Sequence, residues 1–343
     1  MIEKTRREQV KTGNLGEGRI SNLTFINMVM IGVLAALFIA ASLIVPNFFN
    51  INTVSNLIAQ QAEIIIIGIG IAFLLIAGYF DMSVGGIIAM AAVLCAYFSQ
   101  ADRGIEGLSS GLGMNYWLAA VLTILICSII GLINAFLVVR MKIASVIATL
   151  ATMALARGVA LIVAKGAQRN AGLPPEFKQI GQHTFFATIN VAVLIMVVLV
   201  IAALIIERKT VFGRRIFLIG ANSEAARLSG IKVSREVSLL YITSSVLAAI
   251  TGIVMASKFN AGNAAFGTGY EFDALVVTVL GGTSIFGGFG SITCVVVGAF
   301  ILGILKTSVN MLGFQPDLQL VVSGVVIIIA ILAQRYAINK RSS

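Results

Sequence analysis

The sequence predicts an all-α integral membrane protein with about ten transmembrane helices. Hydrophobic residues make up 59% of the 343 residues and charged residues only 11%. The mean hydropathy is +1.02, far from the balance of a soluble domain. Apolar runs recur along the chain at roughly the 20 residues that a spanning helix needs. Between two of them lies a glycine-dense, uncharged run at 279–291, VLGGTSIFGGFGS.

The apolar runs predict the helices in chain order. They lie near 26–45, 57–79, 84–98, 117–139, 143–164, 189–206, 236–256, 273–285, 291–309 and 318–334. Helices 84–98 and 273–285 are too short for a full crossing, so each is expected to meet irregular backbone inside the protein. Glycine lowers helix propensity and permits conformations closed to other residues. We therefore expect breaks near 80–86 and 280–290.

The distribution of Lys and Arg predicts that both termini are cytoplasmic, because basic residues near the ends of spans favour that side. They are concentrated in the N-terminal segment 1–25, the loop 207–235 and the tail 335–343. The transmembrane domain is expected to cover 26–334. The loop 165–188 fits less well, because its Lys and Arg residues fall outside. Orientation and anionic membrane lipid account for most of the net charge of +10, with no need for a nucleic acid partner.

Two glycine-containing segments resemble each other, AGYFDMSVGG at 77–86 and LGGTSIFGG at 280–288. Internal duplication is common in transporters, and two halves of five helices would run in opposite directions because five is odd. The two segments do not fall at equivalent loops of a five-plus-five division. An inverted repeat is therefore possible, and a purely local similarity is the alternative.

Four motifs resemble those of the membrane permeases of ATP-binding-cassette importers for ribose, xylose, arabinose and related solutes. They are AGYFDMSVGG at 77–86, TLATMALARG at 149–158, LGGTSIFGGFGS at 280–291 and GRRIFLIGANSEAARLSGIKV at 213–233. The resemblance covers nearly the whole chain. It implies a permease subunit of the cell inner (plasma) membrane that is not itself an enzyme and gives a small sugar alternating access.

The same resemblance implies three protein partners. A separate ATPase subunit would bind and hydrolyse ATP, and an extracytoplasmic solute-binding protein would deliver the cargo. A second permease copy, identical or a paralogue, would complete the membrane unit. The sequence contains no GxxxxGK[ST] motif, so we expect no cofactor in this chain and ATP bound by the partner.

Polar and aromatic residues at the breaks and on neighbouring spans are candidates for a translocation path. A neutral polyol needs uncharged donors and acceptors beside apolar or aromatic faces. The candidates are Tyr79, Phe80, Asp81, Ser83, Asn134, Thr149, Thr152, Asp273, Thr283, Ser284 and Phe286. Helix capping is the alternative for Asp81 and Asp273, and interhelical hydrogen bonding or ring packing is the alternative for the others.

The segment 213–233 has the features of a short exposed helix. Asn222 or Ser223 can cap it, and Glu224 in its first turn suits the helix dipole. A solvated loop with cytoplasmic basic charges would explain the same sequence. The resemblance instead implies a helix that docks on the ATPase, and its candidate coupling residues are Asn222, Glu224, Ala225, Arg227, Leu228 and Gly230.

An ion-coupled secondary transporter is the competing hypothesis. In that case Glu63, Asp81 and Asp273 would bind protons or sodium at membrane depth, where carboxylates are costly and often functional. The sequence has no convincing cluster of catalytic or metal-binding residues. Its lone His183 lacks a nearby Asp or Cys, and its three Cys residues lie in apolar runs.

Overall fold

The computed structural model describes residues 15–101, 111–166, 168–185 and 189–314, together with isolated positions between 318 and 328. The predicted all-α class is confirmed. The helices are α1 Leu15–Ile44, α2 Ile51–Ile76, α3 Val84–Ser99, α4 Tyr116–Ala135, α5 Ser145–Ala164, α6 Gln179–Gln182, α7 Val191–Lys209, α8 Val211–Ala221, α9 Ser223–Leu228, α10 Val233–Phe259, α11 Tyr270–Leu280 and α12 Ile292–Met311.

Three smaller features complete the description. A five-residue π-helix, Phe136–Arg140, continues α4, and a 3-10 turn, Pro175–Lys178, precedes α6. The strands β1 Thr184–Phe185 and β2 Ile189–Asn190 form an antiparallel pair. The loop 165–188 therefore contains short ordered elements that the apolar pattern did not predict.

Each predicted helix up to residue 309 has a counterpart, with shifted boundaries. The first begins at Leu15 rather than 26, and the helix predicted at 273–285 ends at Leu280. That earlier end follows from Gly282, whose φ of +101° lies outside the helical region. The helix predicted at 318–334 is helical at its described positions, and its remainder lies outside the described residues. The domain boundaries at 25 and 334 stay predictions.

The helix lengths identify a multi-pass membrane protein. Within the described residues, six helices are long and apolar enough to cross a membrane, namely α2, α4 with its π-helical extension, α5, α7, α10 and α12. Two shorter apolar helical stretches occur at Met28–Ile44 and in α3. Helix α11 has 11 residues, which rise about 16 Å, roughly half of a 30 Å hydrocarbon core.

The centre of the fold is formed by α2, α3 and α10. In the most apolar 18-residue stretch of each helix, 83% of the residues of α2 and 72% of those of α10 are buried, compared with 22% in α7. Nearly every residue of α3 is buried. The outer helices α4, α5 and α7 carry many exposed leucine, isoleucine and valine side chains, which suits contact with lipid tails.

A long helix, a break and a short helix occur twice in this order. Helix α2 has 26 residues and is followed by the break 77–83 and the 16-residue α3. Helix α10 has 27 residues and is followed by the break 260–269 and the 11-residue α11. This succession favours an internal repeat in which 77–83 corresponds to 260–269. The likeness of 77–86 to 280–288 is then local.

The glycine loop 281–291 instead packs directly against the end of α2. The amide of Gly288 donates a 2.8 Å hydrogen bond to the carbonyl of Ile76. Gly220 of α8 lies against the same two groups, and a Cβ there would overlap the Ile76 oxygen and lie 2.5 Å from the Gly288 nitrogen. The backbones of three segments thus touch directly. This contact is possible only because Gly220 has no side chain.

We predict that Gly220→Ala destabilises the protein by about 1–3 kcal/mol through overpacking. Thermal unfolding of the purified protein in detergent measures the effect. Gly158→Ala is the matched control, because a Cβ at this helical position has nothing within 4 Å. Equal melting temperatures for Gly220→Ala and the parent chain would contradict the close approach.

Candidate translocation and coupling sites

The break 77–83 is held by side chains of two neighbouring helices. From α5, the Oγ of Ser145 accepts from the amide of Phe80 at 3.3 Å, and the Oγ1 of Thr149 accepts from the amide of Met82 at 3.1 Å. From α10, the hydroxyl of Tyr241 donates to the carbonyl of Phe80 at 3.0 Å. Backbone groups freed by the interrupted helix thus have internal partners, as membrane depth requires.

The carboxylate of Asp81 is the final acceptor of a chain of hydrogen bonds. The Oγ1 of Thr152 donates to Asn134 Oδ1 at 2.6 Å, and Asn134 Nδ2 donates to Ser83 Oγ at 2.9 Å. Ser83 Oγ then donates to Asp81 Oδ1 at 2.5 Å. Asp81 Oδ1 also accepts from the amide of Ser83 at 2.9 Å, and Asp81 Oδ2 accepts from Ser244 Oγ at 2.7 Å.

This Asp81 network unites several of the predicted path residues. Asp81, Ser83, Asn134, Thr149 and Thr152 are all buried, and Asp81 is only 2% exposed. Asp81 is thus buried rather than solvated, and its bond to the amide of Ser83 agrees with the capping alternative. Sequence reasoning missed Ser145, Tyr241 and Ser244, although a hydroxyl in an apolar run was an available signal. The ring of Tyr79 packs edge-on against Tyr241, with centroids 6.5 Å apart.

Arg157 joins α5 to the second break, 260–269. Its guanidinium donates to the carbonyl of Ala264 at 3.0 Å, to Thr268 Oγ1 at 2.7 Å and to the carbonyl of Gly85 at 3.3 Å. The guanidinium therefore binds the backbone and a hydroxyl of the break itself. Arg157 is partly exposed and Thr268 is exposed, so polar groups lie on the surface beside the second break.

One ion pair and one hydrogen bond to a second ion pair hold the first turn of α11. Lys258 Nζ lies 2.9 Å from Glu63 Oε1, and the hydroxyl of Tyr270 donates to Glu63 Oε2 at 3.0 Å. Lys306 Nζ lies 2.6 Å from Asp273 Oδ2. Glu63 and Asp273 each face a lysine inside the protein, the usual arrangement for charges at membrane depth. Asp273 lies apart from the Asp81 network.

The glycine loop places the remaining path candidates near α8. Gly287 packs against Gly78 and the carbonyl of Gly220. The amide of Ser284 donates to the carbonyl of Phe289 at 2.9 Å, and the amide of Phe286 donates to Ser284 Oγ at 3.2 Å. Thr283 is buried, whereas Phe286 is 76% exposed. The loop thus borders the coupling segment, and its candidates are separate from the Asp81 network.

The candidate coupling helix α9 has the cap that its sequence predicts. Of the two candidates, Asn222 is the cap, because its Oδ1 accepts from the amide of Ala225 at 2.9 Å. The side chains of Glu224 and Arg227 form an exposed ion pair. The hydrogen bond from Arg227 holds the pKa of Glu224 below its usual value. Gly230, with a φ of +83°, lets the chain turn after the helix.

The apolar residues of α9 do not all lie on one face. Ala226 is buried against the protein, whereas Ala225 and Leu228 point outward. Leu228 is 74% exposed. Residues three apart share a helix side, so Ala225 and Leu228 give a small apolar surface beside the Glu224–Arg227 pair. Such a surface suits insertion into a groove of another protein.

Interrupted helices buried among full spans, with a short exposed helix between α8 and α10, define a helical membrane transport protein. The matching family model is described as branched-chain amino acid transport system / permease component, and it covers residues 53–331. The chain belongs to this family of permease components.

Individual relatives match over most of the chain. The L-arabinose transport system permease protein AraH of Escherichia coli is 35% identical over 90% of both chains. The ribose import permease protein RbsC of Bacillus subtilis is 35% identical over 87% of this chain and 89% of its own. A probable ABC transporter permease protein, YphD of Escherichia coli, is 31% identical over 91% and 90%. No solved structure matches with significant similarity.

These comparisons confirm the predicted resemblance to permeases of ATP-binding-cassette sugar importers. They support that class rather than the ion-coupled secondary transporter. The protein is a membrane permease component, and permease subunits of this class are not themselves catalytic.

We predict that Asp81→Ala destabilises the protein by at least about 2 kcal/mol, because it leaves buried donors of Ser83 and Ser244 without their acceptor. Asp81→Asn is the matched control. It keeps one carbonyl oxygen for Ser83 and offers an amide to Ser244, so we expect a loss nearer about 1 kcal/mol. Thermal unfolding in detergent ranks the variants, and equal losses for Ala and Asn would count against the proposed network.

Proposed function

We propose that this permease imports a small neutral sugar across the inner membrane, with both termini in the cytoplasm. A solute-binding protein delivers the sugar from outside, and a separate ATPase drives alternating access. The observation that carries this proposal is that all three carboxylates considered for ion coupling have partners within the protein. Glu63 and Asp273 face lysines, and Asp81 accepts from serines on both oxygens. Energy supplied by an external ATPase fits this arrangement better than proton or sodium binding there.

The relatives narrow the substrate class. Their names specify arabinose and ribose, which are neutral polyols of similar size. Such solutes are recognised through hydroxyls, amides and aromatic rings rather than through a fixed counter-charge. We infer that the cargo of this chain is a monosaccharide or a close analogue.

The polar face around Arg157 and Thr268 supports a path that involves a second permease copy. A guanidinium near a helix centre costs about 2.5–3.5 kcal/mol on insertion scales and normally faces protein or water. Arg157 is the thirteenth of the 20 residues of α5. A second copy, identical or a paralogue, would enclose this face and keep it wet. The Asp81 network is buried and shapes the break, so its side chains act on the path indirectly.

Helix α9 is the proposed docking element for the ATPase. It directly follows α8, whose Gly220 touches the end of α2 and the glycine loop. Glu207, at the end of α7, accepts from the amide of Ile292 at 2.7 Å and so joins this region to α12. Movement of α9 on ATPase closure would therefore reach α2 and α12 through direct contacts.

Reconstituted vesicles test this function. The permease, its ATPase and its binding protein are incorporated together, and uptake of radiolabelled arabinose, ribose and xylose is measured. We expect uptake of at least one sugar, and we expect it to require both ATP and the binding protein. The reason is that Glu63, Asp81 and Asp273 are bound by lysines or serines of the protein rather than open to a coupling ion. Uptake driven by a pH or sodium gradient without the ATPase would overturn the proposal.

The docking role of α9 predicts that Leu228→Asp weakens binding of the ATPase subunit by about tenfold or more, since buried apolar anchors dominate interface energies. Affinity of the purified subunits in detergent measures this. Leu218→Asp is the matched control, because Leu218 is another exposed leucine of the same loop, 53% exposed and outside α9. Equal weakening by both variants, or by neither, would exclude α9 as the specific docking helix.

A further inference from the structure

A cavity at the beginning of α10 is lined by three basic side chains. Its volume is about 160 Å³, and its lining residues are Arg215, Gly230, Lys232, Arg235 and Glu236. Three cations and one carboxylate give this basic pocket a net charge of +2. The pocket lies in the loop 207–235, beside the candidate coupling helix.

One of the three cations is committed to the protein. Arg215 Nη1 lies 2.7 Å from Glu236 Oε1, and the Glu236 side chain is only 5% exposed. Lys232 and Arg235 are exposed, and within the described part of the chain neither forms an ion pair. They flank the first turn of α10, where the positive end of the helix dipole adds to the potential. The pocket therefore attracts an anion.

The polarity of α10 changes within two turns of the pocket. Lys232, Arg235 and Leu239 are spaced i, i+3 and i+7, so they share one helix face. Leu239 is 41% exposed, and it belongs to the membrane-spanning helix Val233–Phe259. It lies about 6 Å along the axis from Arg235. The face is basic at the N-terminal end of α10 and apolar one turn further along the helix. This order matches the headgroup and acyl chain of a phospholipid.

We propose that the basic pocket binds the phosphate of an anionic phospholipid from the cytoplasmic leaflet, with an acyl chain along Leu239. The cavity of about 160 Å³ is well below the roughly 300 Å³ at which small-molecule sites begin. It suits one phosphate group rather than a sugar or nucleotide. A zwitterionic lipid carries its own cation and gains less from the pocket's charge. Anionic headgroups are enriched at the cytoplasmic surface, where such basic clusters bind them.

The site is also joined to α9 by backbone hydrogen bonds. The amide of Ile231 donates to the carbonyl of Ala226 at 3.1 Å, and the amide of Val233 donates to the carbonyl of Ile231 at 2.9 Å. A lipid held by Lys232 and Arg235 would therefore fix the connection between α9 and α10. This lipid site does not depend on which solute the permease carries.

Native mass spectrometry of the full-length permease in detergent tests the proposal. The protein is titrated with phosphatidylglycerol, with phosphatidylcholine and with glycerol phosphate, which lacks acyl chains. We expect clear preference for phosphatidylglycerol. The double variant Lys232→Gln/Arg235→Gln should weaken its binding roughly 30-fold, from about 1 kcal/mol per basic residue near the membrane surface.

Two further variants distinguish lipid binding at the pocket from a general effect of the protein's net charge. Lys209→Gln/Arg214→Gln removes the same charge from exposed positions of the same loop outside the pocket, and it should retain parental affinity. The charge-conserving Lys232→Arg/Arg235→Lys should retain it as well. Equal binding of phosphatidylcholine, equal loss in the two neutralised variants or unchanged affinity in the pocket variant would overturn the proposal. Displacement of the lipid by equimolar glycerol phosphate would assign the pocket to a free anion instead.

Discussion

The carboxylate of Asp81 is the constraint on which the interior depends. An interrupted helix at membrane depth leaves amides and carbonyls that water cannot reach. Here the break after α2 is closed by hydroxyls of α5 and α10 that bond its backbone, and the carboxylate at its centre binds α10 directly through Ser244. Both oxygens of Asp81 accept hydrogen bonds, one from the amide and hydroxyl of Ser83 and the other from the hydroxyl of Ser244. One acidic side chain thus fixes how α3, α4 and α10 meet, because Asn134 of α4 joins through Ser83.

The other charges at membrane depth follow the same rule with different partners. Arg157 is bound by carbonyls and a hydroxyl, and Glu63 and Asp273 are bound by lysines. Both ion pairs involve α2, α10, α11 or α12, the helices around the second break. Seven of the 11 residues of the half-helix α11 are buried. The Asp273–Lys306 ion pair and the hydrogen bond from Tyr270 to Glu63 add polar contacts at its first turn, at the cost of removing charges from water.

Much of the fold could be predicted from sequence because lipid imposes a simple length and polarity rule. Apolar runs located the spans, and glycine runs located the ends of α2 and α11. The partners of Asp81 could not be predicted, because Ser244 lies 163 positions away and only packing brings it close. The same holds for Lys258 and Glu63, which are 195 positions apart. A hydrophobicity pattern records which residues avoid water, and it contains no information about which polar side chains meet.

The glycine loop illustrates where motif and geometry differ. Its composition predicted a break correctly, yet the loop contacts the end of α2 and α8 rather than the Asp81 side chains. Because Gly220, Gly287 and Gly288 have no side chains, backbones of the coupling segment, the glycine loop and the first break touch directly. A displacement of α8 therefore cannot be absorbed by side-chain rotation at this contact. Either the end of α2 moves with it, and the Asp81 break with α2, or the hydrogen bond between Gly288 and Ile76 is lost. Close backbone packing thus makes this region suited to transmit force from the proposed ATPase to the helices that surround the path.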